Sequence, residues 1–175
     1  INGLRLKDGT AVFPKAEISV PAPEWAFWMD DAKMAAAPDP MKPAFQAVRR
    51  VFGPNAKDVT RFEWGKEVVT GITTVAAPGH TPGHTAFALA SGNGKLMAMS
   101  DTTNNPALFA RHPDWAAVFD MNGEEAAKTR RKMLDMAAAD KMQVSFYHAA
   151  FPATGYIAKE GNGFHMVPAA WAPQI

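Results

Sequence analysis

A mixed α/β domain, with sheet and helices in layers, is the fold class that this sequence predicts. Three observations predict it. Two helical stretches precede residue 53, a block of strand-forming residues with a hairpin turn starts at Val68, and a capped helix from Asn122 leads back into strand.

The elements follow in order. Ala11-Val12-Phe13 and Glu17-Ile18-Ser19-Val20 are short apolar stretches stopped by Pro14 and Pro21, and the second predicts a strand. Pro23-Glu24 opens a helix, with proline in its first turn and an acid beside it, and this helix carries Trp25, Phe27, Trp28 and Met29. Pro38, Pro40 and Pro43 make residues 35–43 a loop, and a second helix runs over 44–52 until Gly53-Pro54 ends it. Residues 68–77 are rich in Val, Ile and Thr and predict one strand. Residues 85–90 and 95–100 flank Gly92-Asn93-Gly94, a hairpin signal. Asn122 caps a long helix whose first turn holds Glu124 and Glu125, where the macrodipole favours acids. Ala126, Ala127, Met133, Leu134, Ala137 and Ala138 recur on it at helical spacing, and Arg130-Arg131-Lys132 reads as its solvated face. Residues 143–147 predict a strand that delivers His148 at its end, and residues 163–167 the last strand.

Composition narrows the function classes. The 175 residues suit one domain, so residues 1–175 are read as a single unit without repeats or linker. The net charge is +1, which gives no field for nucleic acid or an anionic membrane, and neither partner is expected. No apolar run approaches the roughly 20 residues that span a bilayer. Cysteine is absent, which excludes disulfides, thiolate zinc sites and a cysteine nucleophile. Ile1-Asn2-Gly3-Leu4 has neither an initiator methionine nor a signal pattern, so the chain is expected to start in the middle of something longer.

The densest chemical signal is Ala77-Pro78-Gly79-His80-Thr81-Pro82-Gly83-His84-Thr85. Two histidines four apart share a metal on a helix, but these prolines and glycines exclude a helix. Each histidine is therefore judged alone, with backbone hydrogen bonding in a rigid turn as the plain alternative. Asp101 closes the apolar run Leu96-Met97-Ala98-Met99. A carboxylate there needs a partner, because an isolated buried charge is costly; the alternative is a turn aspartate. His148 ends its strand, with a hydrogen-bonded core histidine as the alternative. Taken together, three nitrogen and oxygen donors at or beside strand ends suit zinc, manganese, iron or cobalt. A carboxylate that bridges two such ions helps supply hydroxide at neutral pH.

The run Pro78-Gly79-His80-Thr81-Pro82-Gly83-His84 resembles the third-ligand loop of the metallo-β-lactamase superfamily, with His80 in the ligand's place. Asp101, 21 positions on, matches the bridging aspartate, and His148, 47 positions further, the final histidine. Similarity to the methyl parathion hydrolase-like and quorum-quenching lactonase-like members runs over residues 1–170. Phe13-Pro14-Lys15-Ala16, Glu24-Trp25-Ala26-Phe27-Trp28 and the tail His148-Ala149-Ala150-Phe151-Pro152, Gly155-Tyr156-Ile157, Glu160-Gly161 and Val167-Pro168 support it.

The resemblance implies a four-layer αβ/βα sandwich, with its N-terminal strands absent from this chain and residues 1–175 as the C-terminal part of one domain. It implies two divalent ions, zinc first, with His80 on one, His148 on the other and Asp101 catalytic as the bridge. A metal-bridging hydroxide would cleave an ester-like bond in a small uncharged lactone, carboxylic ester or organophosphate triester. Trp28 and Phe45 match pocket-lining aromatics, with core packing the alternative. His84 is not a ligand; it is expected to support the ligands from behind or line the pocket, against a plain structural role. His112 and His165 match nothing functional. The relatives imply an exported homodimer, periplasmic or secreted. The superfamily's His-x-His-x-Asp-His motif does not occur in the 175 residues, so the chain alone is expected to be metal-poor and inactive. Two other readings stand beside this one: a glyoxalase II-type thioesterase or β-lactamase on the same metal core, and a metal-free binding or scaffold remnant.

Overall fold

Strand β1 (Ile18–Pro21) lies parallel to β2 (Val59–Phe62), Ile18 opposite Val59 and Pro21 opposite Phe62. A parallel pair needs a crossover, and the residues between supply α1 (Ala22–Trp28), α2 (Asp31–Ala36) and α3 (Lys42–Phe52). These elements belong to the first of two compact units, Ile1–Glu63 and Trp64–Ile175. The computed structural model describes residues 2–170, so the reading made for Ile1 lies outside the described residues.

Within the first unit, the side-chain carboxylate of Asp30 accepts the Lys33 N–H at 3.0 Å and caps α2. The loop expected over 35–43 is therefore shorter, and it contains a 3₁₀ turn at Asp39–Met41. Strand β2 was not expected, because four residues between Asp58 and Glu63 carry little periodicity. Its Val59 completes a small core with Val51 and Phe52, against which Ile18, Val20, Trp25 and Val48 pack. Trp28 and Phe45 are both buried and meet edge to face with ring centroids 4.7 Å apart.

The second unit is a sheet whose strand order follows the chain: β3 (Glu67–Val69), β4 (Ile72–Ala76), β5 (Thr85–Ser91), β6 (Gly94–Ala98), β7 (Gln143–Ser145), β8 (Thr154–Glu160) and β9 (Gly163–Pro168). Among the described residues of this sheet, only β6 and β7 pair in parallel; the other neighbours are antiparallel. The single strand expected over 68–77 is broken at Gly71, which has φ +80°. A Cβ on Gly71 would lie 2.5 Å from the Ala90 carbonyl oxygen, so the turn needs glycine for both conformation and space. Strand β8 was also unforeseen.

After the short helix α4 (Pro106–Phe109), the crossover from β6 to β7 runs through α5 (Gly123–Ala139). The Asn122 side chain caps α5 by accepting the Glu125 N–H at 3.1 Å. Met133, Leu134 and Ala137 of α5 share one core with Met97 of β6, Met99 just past it, Val144, Phe146, Ile157 and Phe164. Arg130 corrects the sequence reading: it is 0% exposed, not solvated. Its spacing explains this, since it follows Ala126 by four residues and precedes Ala137 by seven, on the buried face. Arg131 points outward and grips Asp114 through two hydrogen bonds, of 3.1 and 2.7 Å.

Candidate metal centre

The parallel register of β6 and β7 decides where Asp101 and His148 go. Ala98 lies opposite Ser145, and each candidate ligand stands three residues beyond its partner in that pair. Two parallel strands that end together release their next residues at one edge. The Asp101 Oδ1 and His148 Nε2 atoms lie 2.9 Å apart. Strand β5 starts at the same edge, because its Phe87 pairs with Ala98 and its Thr85 with Ala76 at the end of β4. The loop with His80 and His84 joins those two strand ends.

Asp101 sits in a tight turn that begins with Ser100 at φ +51°. A left-handed serine is strained by of order 1 kcal/mol or more, and hydrogen bonds hold it there. Ser100 Oγ donates to the Thr85 carbonyl at 3.1 Å, and the Met99 N–H donates to the Ser145 carbonyl at 2.8 Å. Thr102 folds back on the Met99 carbonyl through its N–H and its hydroxyl.

His84 is buried and spans the gap between loop and turn. Its Nδ1 donates to the Ala77 carbonyl at 2.8 Å, and its Nε2 accepts the Asp101 N–H at 3.0 Å. Both ring nitrogens are thereby used, which fixes a neutral tautomer and leaves no lone pair for a metal. His80 is oriented differently. Its Nδ1 lies 3.1 Å from Asp120 Oδ1. A carboxylate oxygen accepts, so Nδ1 is the nitrogen that carries a proton, and in the neutral ring Nε2 keeps the lone pair. The rings of His80 and His84 meet edge to face at 5.5 Å.

Asp120 has no role in the sequence reading, and Arg130 figures there only as part of a solvated helix face. Asp120 Oδ2 accepts the Ala117 N–H at 3.0 Å and lies 3.4 Å from Arg130 Nη2. Arg130 also donates to the carbonyls of Thr102 at 2.8 Å, Pro113 at 2.9 Å and Trp115 at 2.5 Å. Burial pulls the guanidinium pKa below its ordinary value, and Asp120 opposes that shift. Nothing in a one-dimensional pattern singles out an aspartate in the loop before α5, whereas the helical spacing from Ala126 to Arg130 and Ala137 is present in the sequence and is masked by the charged neighbours of Arg130.

The three expected donors suit a divalent ion in kind, being imidazole nitrogen and carboxylate oxygen. The Asp101–His148 spacing also suits a shared ion, since donors on a tetrahedral zinc stand about 3.3 Å apart. In number they fall short: among the described residues, no group of three or more His, Cys, Asp or Glu side chains is gathered to hold an ion. The structure brings Asp101 and His148 into contact and links His80 to them through His84. Trp28 and Phe45 are in the first unit, packed on each other and on Phe27.

Beside His148 opens a cavity of about 660 Å³, walled by Leu108, Phe151 and Met166 with Arg111 and His165. His165, to which the sequence assigned no role, lines it with Nδ1 3.6 Å from Glu160. His112 stacks on Trp115 at 4.1 Å and stays outside this group.

The approach of the His80 loop to α5 is close enough to need glycine. Gly79 has φ +126°, and a Cβ there would lie 2.2 Å from the Ala126 nitrogen. The Gly79 and His80 carbonyls accept the N–H groups of Asn122 at 2.9 Å and Met121 at 3.1 Å. Gly79→Ala is expected to cost about 2–5 kcal/mol, strain and overpacking together. Urea denaturation checks this, and a midpoint equal to the parent's would refute the contact.

No protein-family profile and no curated protein matches the chain. Solved structures do. AidC, a dizinc quorum-quenching lactonase solved with a homoserine product, is 26% identical at TM-score 0.89, over 98% of this chain and 60% of that one. The hydrolase AbOPH of the beta-lactamase superfamily is 22% identical at TM-score 0.88, over 99% and 61%. A probable metal-dependent hydrolase from Staphylococcus aureus is 20% identical at TM-score 0.73, over 97% and 58%. The chain thus spans about three-fifths of the length of the structures it matches.

Proposed function

We propose, for a chain that has the metallo-β-lactamase fold of the lactonases and hydrolases it resembles, a metal-dependent hydrolase of ester-like bonds. Its substrate is a small uncharged molecule: a lactone, a carboxylic ester or an organophosphate triester. The observation that carries this reading is the meeting of Asp101 and His148 at the common end of two parallel strands. His80, Asp101 and His148 would hold divalent ions, zinc first and two in all. When bound, such ions make water a nucleophile at neutral pH and stabilise negative charge that develops on the scissile group.

The chain's own residues account for the rest. His84 holds the Asp101 main-chain N–H and so fixes the backbone of the turn that carries the carboxylate. Leu108, Phe151 and Met166 beside His148 favour an uncharged group over an ion. A substrate role for Trp28 and Phe45 is proposed on the resemblance alone.

The test follows from the ligand count. A catalytic zinc takes about three protein ligands, and this chain offers three donors for two ions. Produced as these 175 residues, it is expected to hold fewer than about one zinc and to turn over no ester. Fused behind a segment that carries His-x-His-x-Asp-His, it is expected to hold two and to hydrolyse a lactone, an aryl ester or a phosphotriester. Elemental analysis and a substrate panel that includes a thioester and a β-lactam decide. A fused protein with two zincs that cleaves only the thioester or the β-lactam would overturn the substrate class.

A further inference from the structure

We propose that Asp120 is the positioning residue of His80, setting its tautomer and ring orientation so that Nε2 is the donor offered. The proposal deepens the metal-site reading, on which its functional meaning rests. The geometry is specific. The His80 side chain keeps some exposure, whereas the Asp120 side chain is 1% exposed, so the carboxylate lies behind the imidazole, away from solvent. One carboxylate oxygen faces His80 Nδ1 at 3.1 Å; the other takes the Ala117 N–H and faces Arg130. Both oxygens are thus committed, and the carboxylate cannot rotate without losing a partner. Arg130 in turn holds the Thr102 carbonyl, one residue past Asp101. A single buried guanidinium therefore anchors both the carboxylate behind His80 and the turn that presents Asp101. A histidine ligand whose second nitrogen is held by a carboxylate has a defined tautomer and a more basic donor atom, and losing that partner costs about 10–100-fold in metal affinity.

The sharpest variant is Asp120→Asn. Its one carbonyl oxygen is needed where Ala117 and Arg130 donate, which turns the amide NH₂ toward His80 Nδ1. An NH₂ can only donate, so Nδ1 must give up its proton and Nε2 must take it. The shape is kept and the offered nitrogen is reversed.

The experiment is a long-range ¹H–¹⁵N spectrum of the metal-free 175-residue chain, labelled at histidine, at a pH where the spectrum itself shows one protonated and one bare ring nitrogen. The parent is expected to show His80 protonated on Nδ1, and Asp120→Asn to show it protonated on Nε2 with circular dichroism unchanged. Zinc titration of the parent and Asp120→Asn, each fused behind a segment that carries His-x-His-x-Asp-His, should show the variant weaker by about 10–100-fold. A parent with its His80 proton on Nε2 overturns the proposal without any variant, as does an Asp120→Asn protein that stays protonated on Nδ1. A purely structural role for Asp120 predicts that second result. Zinc that leaves His80 unmoved in a fused parent with the expected tautomer would sink the ligand assignment and leave the tautomer control by Asp120 standing.

Discussion

In the protein fused behind a His-x-His-x-Asp-His segment, Asp101→Ala is expected to weaken zinc binding by more than about 100-fold, beyond the range for groups that only support a ligand. The variant removes the charged half of the Asp101–His148 pair, and the remaining imidazole is half exposed and without that contact. The fold should survive, because the turn is held by main-chain and hydroxyl hydrogen bonds of Ser100 and Thr102 and not by the carboxylate. Asp101→Asn should fall between, since it keeps an oxygen donor and loses the charge. Competition against a zinc indicator measures the affinities, and thermal melting shows the fold is intact. Zinc affinity unchanged in Asp101→Ala would remove this residue from the metal site.

Arg130→Met is expected to destabilise the protein by about 3–5 kcal/mol, the cost of breaking a buried ion pair from one side. Methionine fills much of the volume but leaves Asp120 buried without its countercharge, and the carbonyls of Thr102, Pro113 and Trp115 without their donor. The melting temperature should fall by on the order of 10 °C. Arg131→Met is the neighbouring control. Its partner Asp114 is on the surface, and the pair is screened by solvent, so its melting curve should overlay the parent's. Two adjacent arginines with equal effects would contradict the burial that separates them.

Those two arginines show where the sequence was legible and where it was not. Signals that act locally were readable. Gly92-Asn93-Gly94 turns β5 into β6, Asn122 caps α5, and the proline-rich loop excludes a helix that would pair His80 with His84. The candidate ligands were found because each ends or adjoins a strand. What depended on tertiary neighbours was not readable. Arg130 is a different case: the spacing that puts it on the face of Ala126, Met133 and Ala137 is in the sequence, and its charged neighbours masked it. Asp120 gains its place from an imidazole 40 positions away. Strand β2 exists through its pairing with β1, and the break at Gly71 through the carbonyl of Ala90.

The parallel pairing of β6 with β7 has a consequence for the order of assembly. Hairpins such as β5–β6 close over a few residues and form early, whereas β6 and β7 meet only after the long crossover through α5 has closed. Contacts of that separation are among the slowest to form, because loop entropy is lost before they contribute. Asp101 and His148 stay apart until then, so an unfolded chain offers an incoming cation two isolated side chains. The same cation meets a ready pair once the crossover has docked. Whatever binds there binds the finished fold and not its precursors, and so holds it by mass action, by about 2.7 kcal/mol at a hundredfold excess over the dissociation constant.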